Sequence, residues 1–182
     1  MSRRPDYCAD RFYHFYNRSA HRLPLFREPD DYVFVLRKMK DYAATFHLGV
    51  IAYCLLPNHY HFLIRQEGHD PASLLPQRVF NSYSKAYHTR YDHSGTLFQG
   101  PYKVAVVADE THLLHLCRTI HANPVTQRLV GHPSDWAYSN YREWVGKRPG
   151  TLVDVAFVRD RFASPELYRE FVQDYLADLD RA

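Results

Sequence analysis

The sequence predicts an α+β domain, an antiparallel sheet with helices packed on one face, and three observations carry that expectation. Short runs rich in β-branched and aromatic residues alternate with longer stretches whose apolar positions recur at helical spacing. Their order is strand, helix, strand, strand, helix, strand, helix, which suits segregated layers of sheet and helix. The longest apolar run, Ile51 to Ile64, is broken once, at the Pro57-Asn58 turn signal, into two strands.

Phe12-Tyr-His-Phe-Tyr16 is the first strand, and the polar cluster Asn17-Arg18-Ser19 ends it. Pro29-Asp30-Asp31 opens a helix reaching about His47, with Val33, Leu36 and Met39 on its apolar side, Tyr32 and Ala43 nearby, and Arg37, Lys38 and Lys40 outward. After the two central strands, Gln66 to Asp70 is a polar loop ending in a candidate N-cap. Ser73 to Tyr91 is a second helix, with Pro76 in its first turns and a core stripe of Val79, Phe80, Tyr83 and Tyr87. Tyr102 to Val107 is the last strand. Asp109 caps a third helix that buries Leu113, Leu116, Cys117 and Ile120, and Pro124 ends it. His112, His115, Thr119 and Asn123 form a polar stripe on that helix. Trp136 and its neighbouring tyrosines pack on the core, and Ser164 before Pro165 and Glu166 caps a C-terminal helix. The order of elements resembles the split βαβ, ferredoxin-like plan, with a helical C-terminal extension.

A chain of 182 residues suffices for one domain with a real core, and 46% hydrophobic with 24% charged residues is an ordinary globular balance. No apolar run reaches the roughly 18 residues of a membrane span, and no apolar stretch follows the N-terminal arginines to make a signal peptide. The expected location is the cytoplasm, with no membrane partner. Three widely spaced cysteines give no disulfide framework and no zinc knuckle. A net charge of +3 points only weakly to a polyanion. Aromatic content of 15%, interleaved with arginine, suits single-stranded nucleic acid, although core packing is the commoner use of such rings.

His59 and His61 head the second central strand at spacing two, so they project from one face while Tyr60 points to the other. Two imidazoles about 7 Å apart along one face can share a divalent cation. In a chain with 12 histidines, a pair at this spacing also arises by chance.

Leu55-Leu-Pro-Asn-His-Tyr-His-Phe-Leu63 resembles the histidine-hydrophobic-histidine signature of the HUH transposases, in the branch of the REP-associated tyrosine transposases. Four further segments match in the same order: Tyr16-Asn-Arg-Ser with Arg22 and Leu25-Phe26; Gly95 to Lys103; Ile120-His-Ala-Asn-Pro-Val125 with Leu129-Val130; and Asp135 to Tyr141. Five motifs in order, over roughly residues 12 to 141, are more specific than any one. The resemblance implies a transposase-like domain over residues 1–145, with 146–182 as a helical extension of it. It implies a divalent metal, Mg²⁺ or Mn²⁺, held by His59 and His61, with Asn123 completing the site one helical turn beyond the family's tyrosine. It implies single-stranded DNA with hairpin or repeat ends as partner, cleaved by a helix tyrosine that becomes 5′-phosphotyrosine. A monomer or a homodimer is compatible with it.

The sequence departs from that pattern at one position. Four residues before Asn123 the chain carries Thr119, where the resemblance requires tyrosine. A threonine hydroxyl is a far weaker acid than a phenol and reaches less far. Three readings stay open: strand transfer is lost while metal and DNA binding persist; another tyrosine serves, with Tyr83, Tyr87 and Tyr102 as candidates; or the protein is an inactive remnant. Candidate DNA contacts beside the motifs are Arg18, Arg22, Lys85, Arg90 and Lys103, each equally readable as a solvated surface charge.

Overall fold

The computed structural model describes residues 5–181. Strands β1 (Phe12–Arg18), β2 (Leu48–Leu56), β3 (His59–Gln66) and β4 (Lys103–Val106) form one sheet in the order β2-β3-β1-β4, with every neighbouring pair antiparallel. Helix α1 (Pro29–Thr45) connects β1 to β2, and α2 (Leu74–Tyr91) connects β3 to β4. Each connection skips the strand lying between its ends, so two βαβ units interleave in the expected split plan.

Strand alternation decides what each face receives. Tyr60, Phe62 and Ile64 of β3 and Tyr13 and Phe15 of β1 enter the core beneath α1 and α2. Their neighbours in sequence, His59, His61, His14, Tyr16 and Arg18, therefore belong to the opposite face. In α1 the buried stripe is Tyr32, Val35, Met39 and Ala43, while Val33, assigned inward from the sequence, is 44% exposed. Tyr32 sets this phase, because its ring stacks on Phe26 at 4.4 Å and on Tyr138 at 3.8 Å.

The one-face arrangement holds for α1 and α2 and not for the helices after β4. Helices α3 (Glu110–Thr126), α4 (Tyr141–Trp144), α5 (Val155–Arg161) and α6 (Pro165–Arg181) pack on the second face. They cover its β2 and β3 half through Leu113, Cys117, Ile120, Trp144, Phe157, Tyr168 and Val172 against Ile51, Ala52, Cys54, Leu56 and Leu63. Strand β2 is buried along its whole length and so requires cover on both sides.

Two helix boundaries differ from the sequence reading. Asp70 caps nothing: α2 begins at Leu74, and the turn before it is held by Gln66, whose Oε1 accepts from the Ala72 N–H at 3.1 Å. Helix α3 runs two residues beyond Pro124. Proline removes one helical N–H, but Pro124 is buried and its carbonyl still accepts from Leu129 N–H at 2.9 Å, so packing carries the last turn.

A buried polar network pins α3 to the sheet. Asn140, wholly buried, accepts at Oδ1 from the Tyr53 N–H (2.7 Å) and from His121 Nε2 (2.8 Å), and its Nδ2 donates to Ile51 O (2.8 Å). With Nε2 as donor, His121 Nδ1 accepts from the Tyr168 hydroxyl at 2.5 Å. Burial pushes the His121 imidazole down to about 4, so the folded protein keeps it neutral. Below the unfolded value of 6.5 the unfolded chain binds the extra proton, so stability falls as pH drops from 6.5 toward 4. The expected loss is about 3 kcal/mol from this residue alone. Urea unfolding at stepped pH reads it, and a flat profile across that window contradicts it.

Candidate functional site

The β1 and β4 half of the second face is left open and forms a cleft of about 680 Å³. Tyr16, Asn17, Arg18, Asn58, His59, Tyr60, His61, Gln99, Gly100, Pro101 and Lys103 line it. Register builds its floor: His61, Tyr16 and Lys103 are direct partners across β3, β1 and β4, and His59 is the partner of Arg18 in the next row. Directly opposed residues of antiparallel strands share a face, so both rows open to the same side. The segment before β4 forms the rim, held by Asn17 Nδ2 donating to Gly100 O at 2.9 Å and by Arg18 Nε donating to Gln99 Oε1.

The histidines are held in a ligand-ready form. His59 Nδ1 lies 2.7 Å from Asn58 Oδ1, an acceptor, so this nitrogen carries the proton and Nε2 is left with its lone pair. His61 Nδ1 bonds His14 Nε2 at 3.0 Å, and the His59 and His61 rings stand 5.3 Å apart, edge to face. Burial lowers His59, and burial together with His14 and His59 pushes His61 down to about 3. Burial, then His112, brings His14 to about 4. Neutral imidazole is the form that binds metal, so His59 and His61 fit a divalent cation. Among the described residues, no cluster of three or more His, Cys, Asp or Glu side chains is placed to hold an ion, and a cation held by the two histidines would take its other ligands from amides, water or substrate.

The electrostatics favour an anion. Arg18 and Lys103 stand in the cleft, and its lining residues include no carboxylate. Of the other positively charged residues singled out in the sequence, Lys85 and Arg90 lie on α2, against the opposite face. Arg90 is paired there with Glu28 at 2.7 Å, Asp31 at 3.4 Å and Asp30 at 3.5 Å, which leaves it little to offer a phosphate. The side chain of Arg22 lies outside the described part of the chain.

Thr119 and Asn123 do not line the cleft. The Thr119 hydroxyl donates to the His115 carbonyl one turn back, at 2.8 Å. Helix α3 approaches His59 at its C-terminal end: Gln127 and Leu129 line a neighbouring hollow of about 340 Å³ with Asn58 and His59. Gln127 is one turn beyond Asn123 and is the α3-end amide that shares a surface with His59. Of the alternative tyrosines, Tyr83 and Tyr87 are core residues under α1, their hydroxyls donating to Leu25 O (2.6 Å) and Pro24 O (3.1 Å). Tyr102 packs edge-on against Phe15, on the face away from the histidines.

The sequence reading missed His14 and Tyr16 as site residues. The same alternation that pairs His59 with His61 pairs His14 with Tyr16, and this was the available signal.

No protein-family model and no curated protein matches this chain. Among solved structures, a REP-associated tyrosine transposase bound to a REP hairpin superposes with a TM-score of 0.69 at 20% identity, covering 86% of this chain and 95% of that one. A candidate transposase from Deinococcus radiodurans R1 gives a TM-score of 0.45 at 16% identity, covering 64% and 93%. The first of these likenesses shows the fold. Among the described residues, no helix is long and apolar enough to cross a membrane.

Proposed function

We propose that this chain is a transposase-type protein that binds single-stranded, hairpin-forming DNA in the open half of its sheet, together with a divalent metal, Mg²⁺ or Mn²⁺, at His59 and His61. The observation that carries the reading is the cleft itself, where two neutral imidazoles and two cations converge with no carboxylate among the lining residues. The fold shared with a transposase bound to a REP hairpin supports the choice of DNA over other polyanions. A bound cation would polarise a phosphate oxygen. Arg18 and Lys103 fix the backbone beside it, and His14 orients His61.

Helix α3 supplies no competent nucleophile in this reading. Thr119 is turned into its own helix, and Asn123 stands apart from the cleft lining. The second reading, a protein that binds such DNA without cutting it, rests on that observation.

Binding is tested by fluorescence anisotropy with a pool of labelled hairpin oligonucleotides carrying single-stranded flanks. The expected result is Mn²⁺-enhanced binding that duplex of the same length does not match. Arg18→Ala and Lys103→Ala each weaken binding and lower the salt slope by about one phosphate contact, whereas Lys85→Ala changes neither. Equal losses from Lys85→Ala and Lys103→Ala would place the DNA elsewhere.

A further inference from the structure

We propose that the turn ending α3 seats an unpaired nucleobase of the strand flanking the hairpin, in the hollow beside His59. This rests on the reading of the cleft as a DNA site, and it adds a pocket for a base where the cleft offers contacts for phosphate.

Pro24, Leu56, Pro57 and Leu129 give the hollow of about 340 Å³ its apolar walls, and Asn58, His59 and Gln127 give it a polar edge. Backbone hydrogen bonds hold both sides in place. The Pro57 carbonyl accepts from the Leu25 N–H at 2.6 Å and from the Phe26 N–H at 3.2 Å, and the Asn58 carbonyl accepts from the Ser19 N–H at 2.8 Å. The segment carrying Pro24 is thereby fastened to the turn between β2 and β3. The facing wall comes from the end of α3, where the Leu129 N–H donates to Pro124 O at 2.9 Å and the Arg128 N–H to Val125 O at 2.8 Å, with Arg128 at a φ of 58°. Those two bonds and that left-handed residue make a Schellman turn, in which glycine usually stands where Arg128 does. The turn reverses the chain and sets Leu129 in the wall of the hollow, where it is still 40% exposed.

The chemistry of the hollow selects a nucleobase as its occupant. A base has apolar faces and a hydrogen-bonding edge, which suits apolar walls with amides along one side. Asn58 gives its Oδ1 to His59 Nδ1, so its Nδ2 remains to donate, and the exposed Gln127 amide can both donate and accept. The hollow shares Asn58 and His59 with the cleft, so a strand whose phosphates meet Arg18 and Lys103 passes its mouth. Neither lining contains a carboxylate, so nothing along this path repels phosphate. A paired base commits its edge to its partner and its faces to the stack, so the occupant comes from the flank and not from the stem.

The test compares labelled hairpins of identical stem by anisotropy, with the full chain in Mn²⁺. Four probes carry flanks of a single base each, and a fifth carries abasic flanks that keep every phosphate. Wild-type protein should bind at least one base-bearing probe about ten-fold more tightly than the abasic probe, the worth of one seated base. Leu129→Ser should reduce that preference to about two-fold or less while binding the abasic probe as wild type does, because this leucine meets the base and not the phosphates. Leu179→Ser removes a leucine that is 45% exposed on α6 and outside both linings, and it should keep the full preference. Both leucines are exposed, so neither change threatens the fold. Equal affinity of wild type for all five probes overturns the base pocket and leaves the DNA reading of the cleft standing, as does a preference that survives Leu129→Ser. Absence of binding to every probe removes both.

Discussion

Asn140→Leu lowers the unfolding free energy by about 4 kcal/mol, the largest expected loss of stability from a single polar residue here. Leucine branches at Cγ as asparagine does and is the larger residue, so the change removes hydrogen bonds without opening a cavity, and any packing strain adds to the loss. Two buried donors lose their acceptor, the Tyr53 N–H and His121 Nε2. Each stranded donor costs about 1–3 kcal/mol. Ile51 O is less affected, because Trp144 Nε1 also donates to it at 3.1 Å. For a chain of this size the loss lowers the melting temperature by roughly 10 °C. Urea unfolding with an unchanged denaturant slope supports the account, and a loss below about 1 kcal/mol shows that water or repacking satisfies both donors. Asn140→Asp keeps the acceptor and adds a negative charge beside His121. Its cost should therefore shrink below pH 6.5, where a protonated His121 becomes a partner for it.

That network shows why part of the molecule was legible in the sequence and part was not. Alternation within one strand is local, so His59-Tyr60-His61 announces two faces without any knowledge of the fold. Helical periodicity announced α2 and α3 in the same way, and Asp109 does cap α3, accepting from the His112 N–H at 2.8 Å. What a strand faces across a sheet is not local. Tyr16 meets His61 and Lys103 only through the β1 pairings, and His121 meets Asn140 and Tyr168 across segments joined only by tertiary packing. Pro124 misled for the converse reason: a local rule ends the helix there, and burial of the ring overrides it. In α1 a local stripe including Val33 was plausible, and the phase was decided by Tyr138, more than a hundred residues away. Lys85 and Arg90 stand beside the motifs in sequence, whereas the sheet order puts α2 on the face opposite His59 and His61.

The metal is the step on which the functional reading turns, and His59→Ala and His61→Ala address it directly. Wild-type protein in excess Mn²⁺ should melt higher than in chelator, because a ligand at about 100 times its dissociation constant stabilises the fold by about 2.7 kcal/mol. Each histidine variant should lose that increment and lose the Mn²⁺ enhancement of DNA binding, with metal affinity falling by about 100-fold or more. The two differ in a second respect. Among the described residues His59 hydrogen-bonds the neighbouring Asn58 side chain and meets one ring, His61, edge-on, so His59→Ala should leave the metal-free melting temperature little changed. His61 bonds and stacks on His14 and stacks on Tyr16, so His61→Ala disturbs that ring cluster as well. Lys103→Ala separates metal from DNA, because it should retain the Mn²⁺ increment and bind the hairpin pool less well. A Mn²⁺ increment that survives in both histidine variants would place the ion elsewhere. The cleft would then be a DNA groove in which His59 and His61 serve as neutral hydrogen-bonding groups.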